Sequence, residues 1–222
     1  VGKSALKNYS NNDNTAVGSY SMQEATTGHN NVAVGQSALY NTTTGVFSAA
    51  VGRSAMSGNT TGGYSAALGY GALQNCQTGN FNVAIGYQSL LNSTVTGNTA
   101  VGGLSLTSNT GGDNNVAVGF SCLEDNTTGS SNTAVGHRAL SNNVTGSSIT
   151  AVGRDVLRYN TAANNTAVGR SALETNTTGT QQVAVGNDAL KSNTTGNYNQ
   201  AFGFNALKEN TTANYNTALG YI

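Results

Sequence analysis

Asn132-Thr133-Ala134-Val135-Gly136, followed by His137-Arg138-Ala139-Leu140, has a near copy in Asn82-Val83-Ala84-Ile85-Gly86 with Tyr87-Gln88-Ser89-Leu90, and further copies run the length of the chain. The glycines of these copies are Gly2, Gly18, Gly35, Gly52, Gly69, Gly86, Gly102, Gly119, Gly136, Gly153, Gly169, Gly186, Gly203 and Gly220. Ten of the thirteen steps between them are 17 residues and three are 16. So constant a period marks one small supersecondary unit stacked on copies of itself. Function in such a body lies on its faces rather than in a pocket.

Read outward from the glycine, each coil has the same grammar. The preceding residue is apolar: Val17, Val34, Val51, Leu68, Ile85, Val101, Val118, Val135, Val152, Val168, Val185, then Phe202 and Leu219. Before it stands Ala in all thirteen cases, from Ala16 to Ala218. Four residues after the glycine comes Leu in eleven coils, among them Leu39, Leu73, Leu123, Leu140, Leu173 and Leu190, and Met in two, Met22 and Met56. The x-Ala-Val segment reads as a short strand with its Val side chain inward, and the Leu adds a second inward group. Asn-Thr-Thr-Gly between them, as at 126–129 and 193–196, is turn chemistry, since Asn and Thr cap local backbone groups and Gly supplies positive φ.

Two large apolar side chains per coil are too few to fill a wide three-faced solenoid. The expected architecture is therefore all-β: a β-roll or β-solenoid with coils of about 17 residues, either a thin flattened roll or, the favoured reading, one that completes its core against partner chains as a parallel homotrimer. The unbroken repeat makes residues 1–222 a single domain of about 13 repeats. Because it starts and stops in mid-repeat, the chain reads as a fragment of a longer fibre.

Composition narrows the partners. Nine Lys plus Arg balance nine Asp plus Glu, so no counterion-release term draws the chain to nucleic acid or to anionic membrane. No apolar run approaches the roughly 20 residues of a membrane span. Proline, which would remove a ladder N–H from a coil, is absent. Cys76 and Cys122 sit three coils apart, about 14 Å along the stack at strand spacing. That exceeds the roughly 7 Å that a disulfide spans between Cα atoms.

The strand motif, as in Asn82-Val83-Ala84-Ile85-Gly86, resembles the head repeat of trimeric autotransporter adhesins. Those heads carry a similar strand in slightly shorter repeats and fold as left-handed β-rolls, three chains side by side. Similar arrays occur in phage and viral tail-fibre-like proteins. The resemblance implies a structural or adhesive segment of an extracellular fibre at a cell or virion surface. Its partners would be copies of itself and a host glycan or surface protein, and it implies no cofactor, no metal and no catalysis. A viral tail-fibre shaft, a filament without ligand and an ice-binding solenoid are the alternatives.

Several side chains are candidates for contacts. Phe47, Tyr64 and Phe81 occupy one column, five residues before the glycine, as do Tyr198 and Tyr215; Tyr70 and Tyr87 form another just after it. These columns suit a ligand, or else ladder stacking or a contact between protomers. Lys3, Arg53, Arg138, Arg154 and Arg170 gather near the same corner, an anion stripe or a solvated face. Asn41, Asn59, Asn126, Asn176, Asn193 and Asn210 are glycosylation sequons by sequence, although turn preference also accounts for them. His29 and His137 lie far apart, and no carboxylate pair repeats in register, so catalysis has no support in the sequence. Threonine stands before Ala-Val in only six of thirteen coils, a broken array for ice.

Overall fold

The computed structural model of the protein describes residues 2–7 and 13–221. The chain divides into two compact units, Val1–Gly111 and Gly112–Ile222. The first holds β1 (Thr15–Val17), β2 (Val32–Val34), β3 (Ala49–Val51), β4 (Ala66–Leu68), β5 (Val83–Ile85) and β6 (Thr99–Val101). The second holds β7 (Val116–Val118), β8 (Thr133–Val135), β9 (Thr150–Val152), β10 (Thr166–Val168), β11 (Val183–Val185), β12 (Gln200–Phe202) and β13 (Thr217–Leu219). In each unit the strands pair in sequence order, parallel and in register, as in Ala33 with Ala50 and Ala50 with Ala67. The fold is a parallel β-solenoid of about twelve turns, with no helix among the described residues.

The structure corrects the inward assignment of the residue before each glycine. In β1 to β12 the Ala is buried and its two neighbours face out. Val17, Val34, Val51, Leu68, Ile85, Val101, Val118, Val135, Val152, Val168 and Val185 are thus half-buried or exposed. Leu68, for example, is 50% exposed. Successive strand residues point to opposite sides, and the coil is too thin for more than a methyl group at the inward place. At one coil the two sides come so close that Cys122 Sγ lies 3.2 Å from the Ala134 carbonyl oxygen. Leu39, Leu73, Leu123, Leu140, Leu173 and Leu190 are all fully buried.

The Leu segment forms tight turns rather than a strand. The residue two after the glycine and the Leu itself both take the left-handed conformation, as at Ser37 (φ 58°) and Leu39 (φ 51°). Hydrogen bonds three residues back close these turns, with Ala38 N–H donating to Gly35 O at 3.3 Å and Thr42 N–H to Leu39 O at 3.2 Å. Left-handed backbone at the third place of a turn is what a type II geometry asks for.

The rest of the interior is filled by amides, which the sequence does not announce. The turn Asn of each Asn-Thr-Thr-Gly points inward: Asn126 Nδ2 donates to Gly129 O at 3.0 Å, and Asn143 Nδ2 donates to Asn126 Oδ1 at 3.0 Å. A second column precedes the strands. Asn132 Nδ2 donates to Gly146 O at 2.9 Å, while its Oδ1 accepts the Ile149 N–H at 3.1 Å. Both columns are buried and run from coil to coil, so they supply the filler and the register that apolar groups would supply elsewhere.

These orientations predict contrasting costs. Leu140→Ala should destabilise the second unit by about 3 kcal/mol through the cavity it leaves. Val135→Thr, next to the buried Ala134 and on the opposite face of the strand, should cost under about 0.5 kcal/mol. Urea midpoints followed by circular dichroism measure both; equal costs would contradict the outward placement of Val135.

Candidate functional surfaces

The outward strand face carries two side chains from every strand of each unit. Its two residues per strand carry no charge in any of the thirteen strands. In the first unit it dips over β3 and β4, where Ala49 and Ala66 stand in a column that elsewhere holds mostly Thr or Val. The result is a hollow of about 500 Å³, floored by Ala49 and Ala66, bounded by Val32 and Val83, and walled by Phe47 and Tyr64. A second, of about 260 Å³, adjoins it between Val51, Leu68 and Ile85. Ser48 and Ser65 at the edge have their hydroxyls committed to Val46 O at 3.2 Å and Gly63 O at 3.0 Å. Asn30 also lines it, its amide 3.0 Å from His29 Nδ1, so the hollow is mainly apolar with a polar rim. A larger one of about 600 Å³, lined by Leu207, Lys208 and Ala213 among others, is the uncovered side of the last Leu turn.

The aromatic columns form stacks. Phe47 and Tyr64 have ring centroids 5.3 Å apart, Tyr64 and Phe81 5.1 Å, Tyr70 and Tyr87 5.6 Å, and Tyr198 and Tyr215 4.9 Å. Because the rings lie within 17° of parallel, each spends its face on its neighbour and turns an edge to solvent. Sugar recognition uses ring faces, so a stack offers a glycan only its ends. The sequence reading missed two further pairs, Phe120 with His137 at 5.9 Å and Phe204 with Tyr221 at 5.2 Å. Their signal was the same column, one residue after the glycine. His29 meets the Phe47 ring edge-on, with centroids 5.3 Å apart.

Three of the five basic candidates, Lys3, Arg53 and Arg154, have neighbours of their own, as does Lys191. Lys3 lies over the Tyr20 ring at 5.9 Å and Arg53 over Tyr70 at 5.8 Å. Arg154 Nε donates to Asp155 Oδ2 at 3.0 Å. Lys191 Nζ sits 3.4 Å from Asp188 and 3.5 Å from Glu174. Each of these cations has an aromatic or carboxylate neighbour on its own or the adjoining coil, consistent with a solvated, internally paired corner.

Four of the sequons are closed to glycans. Asn59, Asn126, Asn176 and Asn193 are fully buried, and their amides bond the glycine carbonyl three residues on. Asn41 is exposed and Asn210 half-buried. The turn threonines are equally committed. The N–H groups of Thr43, Thr44 and Gly45 all donate to Thr60 O, at 2.9, 3.1 and 3.3 Å, and Thr43 Oγ1 joins them at 3.1 Å.

Cys76 and Cys122 are both buried free thiols. Burial pushes the Cys122 thiol up to about 12 and raises that of Cys76, so neither is a nucleophile near neutral pH. Among the described residues no three His, Cys, Asp or Glu side chains gather as a metal site requires. No described helix is long and apolar enough to cross a membrane. No protein-family profile, characterised protein or solved structure matches the chain, so its function is argued from these surfaces.

Proposed function

We propose that the chain is a structural and adhesive segment, head or shaft, of an extracellular fibre at a cell or virion surface. The observation that carries this reading is the uncharged outward face of the first unit, with its mainly apolar hollow over Ala49 and Ala66. Exposed apolar side chains gathered on one face, such as Leu68 and Ile85, suit a contact surface. In this reading copies of the chain associate through it as a homotrimer, which covers Leu68 and Ile85 and thickens an interior built from one Leu or Met, a few small side chains and buried amides per coil. The coils left outside present similar groups at strand spacing. Many weak contacts to a glycan or surface protein then add up through multivalency.

Sedimentation equilibrium of the purified chain tests the association. Three chains are expected, and Leu68→Lys should give monomers that still melt cooperatively, because Leu68 is half exposed in the single chain. They should melt at a lower temperature than the trimer, whose association adds to stability. A wild-type chain that stays monomeric at high micromolar concentration would overturn the trimer.

A further inference from the structure

The outward face of the second unit differs from that of the first. All ten outward residues of β7 to β11 are Val or Thr. The first unit interrupts its face with the Ala49 and Ala66 dip and the larger Leu68 and Ile85. β-Branched side chains are stiff at χ1, so these ten hold their methyl and hydroxyl groups at fixed points. Their spacing is about 4.8 Å from strand to strand and roughly 6.6 Å from one outward residue to the next along a strand. The strands of this face pair parallel and in register, Thr133 with Thr150 and Thr150 with Thr166.

The hydroxyls separate the strand threonines from the turn threonines. Thr127 Oγ1 donates to Val144 O at 3.1 Å, Thr177 to Thr194 O at 3.0 Å and Thr194 to Thr211 O at 3.1 Å. Their hydrogen-bonding capacity is used within the stack. Thr133, Thr150 and Thr166, in one column on β8, β9 and β10, have no side-chain hydrogen bond to protein among the described residues. Their hydroxyls face solvent beside the methyl groups of Val135, Val152 and Val168.

We infer that this face binds ice. A regular, uncharged array of stiff methyl and hydroxyl groups orders water over itself, the methyl groups caging it and the hydroxyls anchoring it. Both repeats lie close to those of water oxygens on faces of hexagonal ice. Charged side chains, whose hydration does not fit that lattice, are missing from it. The inference rests on the fibre reading only in naming a surface to which repeated coils attach; it requires the face of β7 to β11 to be uncovered.

The purified chain is frozen slowly on a cooled probe, and its content in ice is compared with that of a non-binding control protein. Sedimentation is run on the same samples. Enrichment in ice is expected, together with inhibition of ice recrystallisation. Thr150→Tyr, which raises bulk in the middle of the face, should reduce enrichment at least tenfold. Thr133→Lys, a second change on that face, should do the same. Thr178→Tyr, on the exposed turn, should leave enrichment unchanged, with melting curves confirming that all three fold. No enrichment over the control overturns the inference. An oligomer that Thr150→Tyr dissociates, without ice uptake, overturns it in favour of a second copy as the occupant and leaves the fibre reading standing. Ice uptake by a monomer supports the inference while the trimer fails.

Discussion

Gly69→Ala should lower the stability of the first unit by about 5 kcal/mol, the sum of a forbidden backbone conformation and an unavoidable clash. Gly69 has φ +135°, far from any region that a side chain tolerates. A Cβ there would lie 2.5 Å from Gly86 O and 2.8 Å from Gly86 C, both backbone atoms of the next coil. Relief by displacement is closed off, because Gly86 stands in the same relation to Gly102, its added Cβ meeting Gly102 C at 2.6 Å. Gly71 is the control. Its φ is +64° and its Cβ would meet only the movable end of Gln74, at 3.0 Å. Other coils already place Ser37, Ser54, Arg138 and Asp155 at the same point with φ between 53° and 58°. Gly71→Ser should therefore change stability by less than about 0.5 kcal/mol. In a solenoid each coil touches only its neighbours, so the loss from Gly69→Ala should appear first as faster amide exchange in β4 and β5. An unchanged urea midpoint for that variant would refute the close-approach account of the repeat.

The contrast between these two glycines explains what could be read from the chain. Periodicity was legible because a column needing both φ near 135° and room for a neighbour's carbonyl admits one residue type, and it sits at every step. The buried Leu was legible for a similar reason, since only Leu or Met occurs there. Strand orientation was misread because x-Ala-Val is three residues long, too short for alternation to fix which side is in. A signal was present in the spread of sizes. The inward column is Ala throughout, while the column beside it runs from Val17 through Leu68 and Ile85 to Phe202, a tolerance that belongs to a side chain with nothing opposite it. The amide columns were hidden by their resemblance to turn chemistry. Asn126 and Asn193 occupy turns, as their residue type suggests, but their side chains serve the interior. The aromatic columns were aligned correctly by counting from the glycine. Between ladder stacking and a free binding face the sequence did not decide; the stacked geometry, with rings within 17° of parallel, does.

Asn176 should prove the most costly amide to replace. Its Nδ2 donates to Asn160 Oδ1 at 2.6 Å and to Gly179 O at 2.9 Å. Its Oδ1 accepts from Gln182 Nε2 at 2.9 Å and from Asn193 Nδ2 at 2.9 Å. The side chain is fully buried, so four bonds in a low-dielectric interior depend on one group that donates on one side and accepts on the other. Asn176→Leu keeps the volume and removes all four, leaving Gln182 Nε2 without its partner, at a cost of about 3 kcal/mol. Asn176→Asp tests polarity rather than volume. As a carboxylate it would still accept from Gln182 and Asn193, but would face Asn160 Oδ1 and Gly179 O, two acceptors, with a buried negative charge. Its folded-state pKa should rise above the unfolded value, because desolvation and both acceptors favour the protonated acid. Stability is then retained below the unfolded pKa and lost as pH climbs through and beyond it, so the variant should melt far lower at pH 8 than at pH 4. The Leu variant should show no such added dependence. Pairing Asn176→Leu with Asn193→Leu in a double-mutant cycle should give a coupling of about 1 kcal/mol or more. Additive losses would mean that the amides act coil by coil, and that the column does not hold the register.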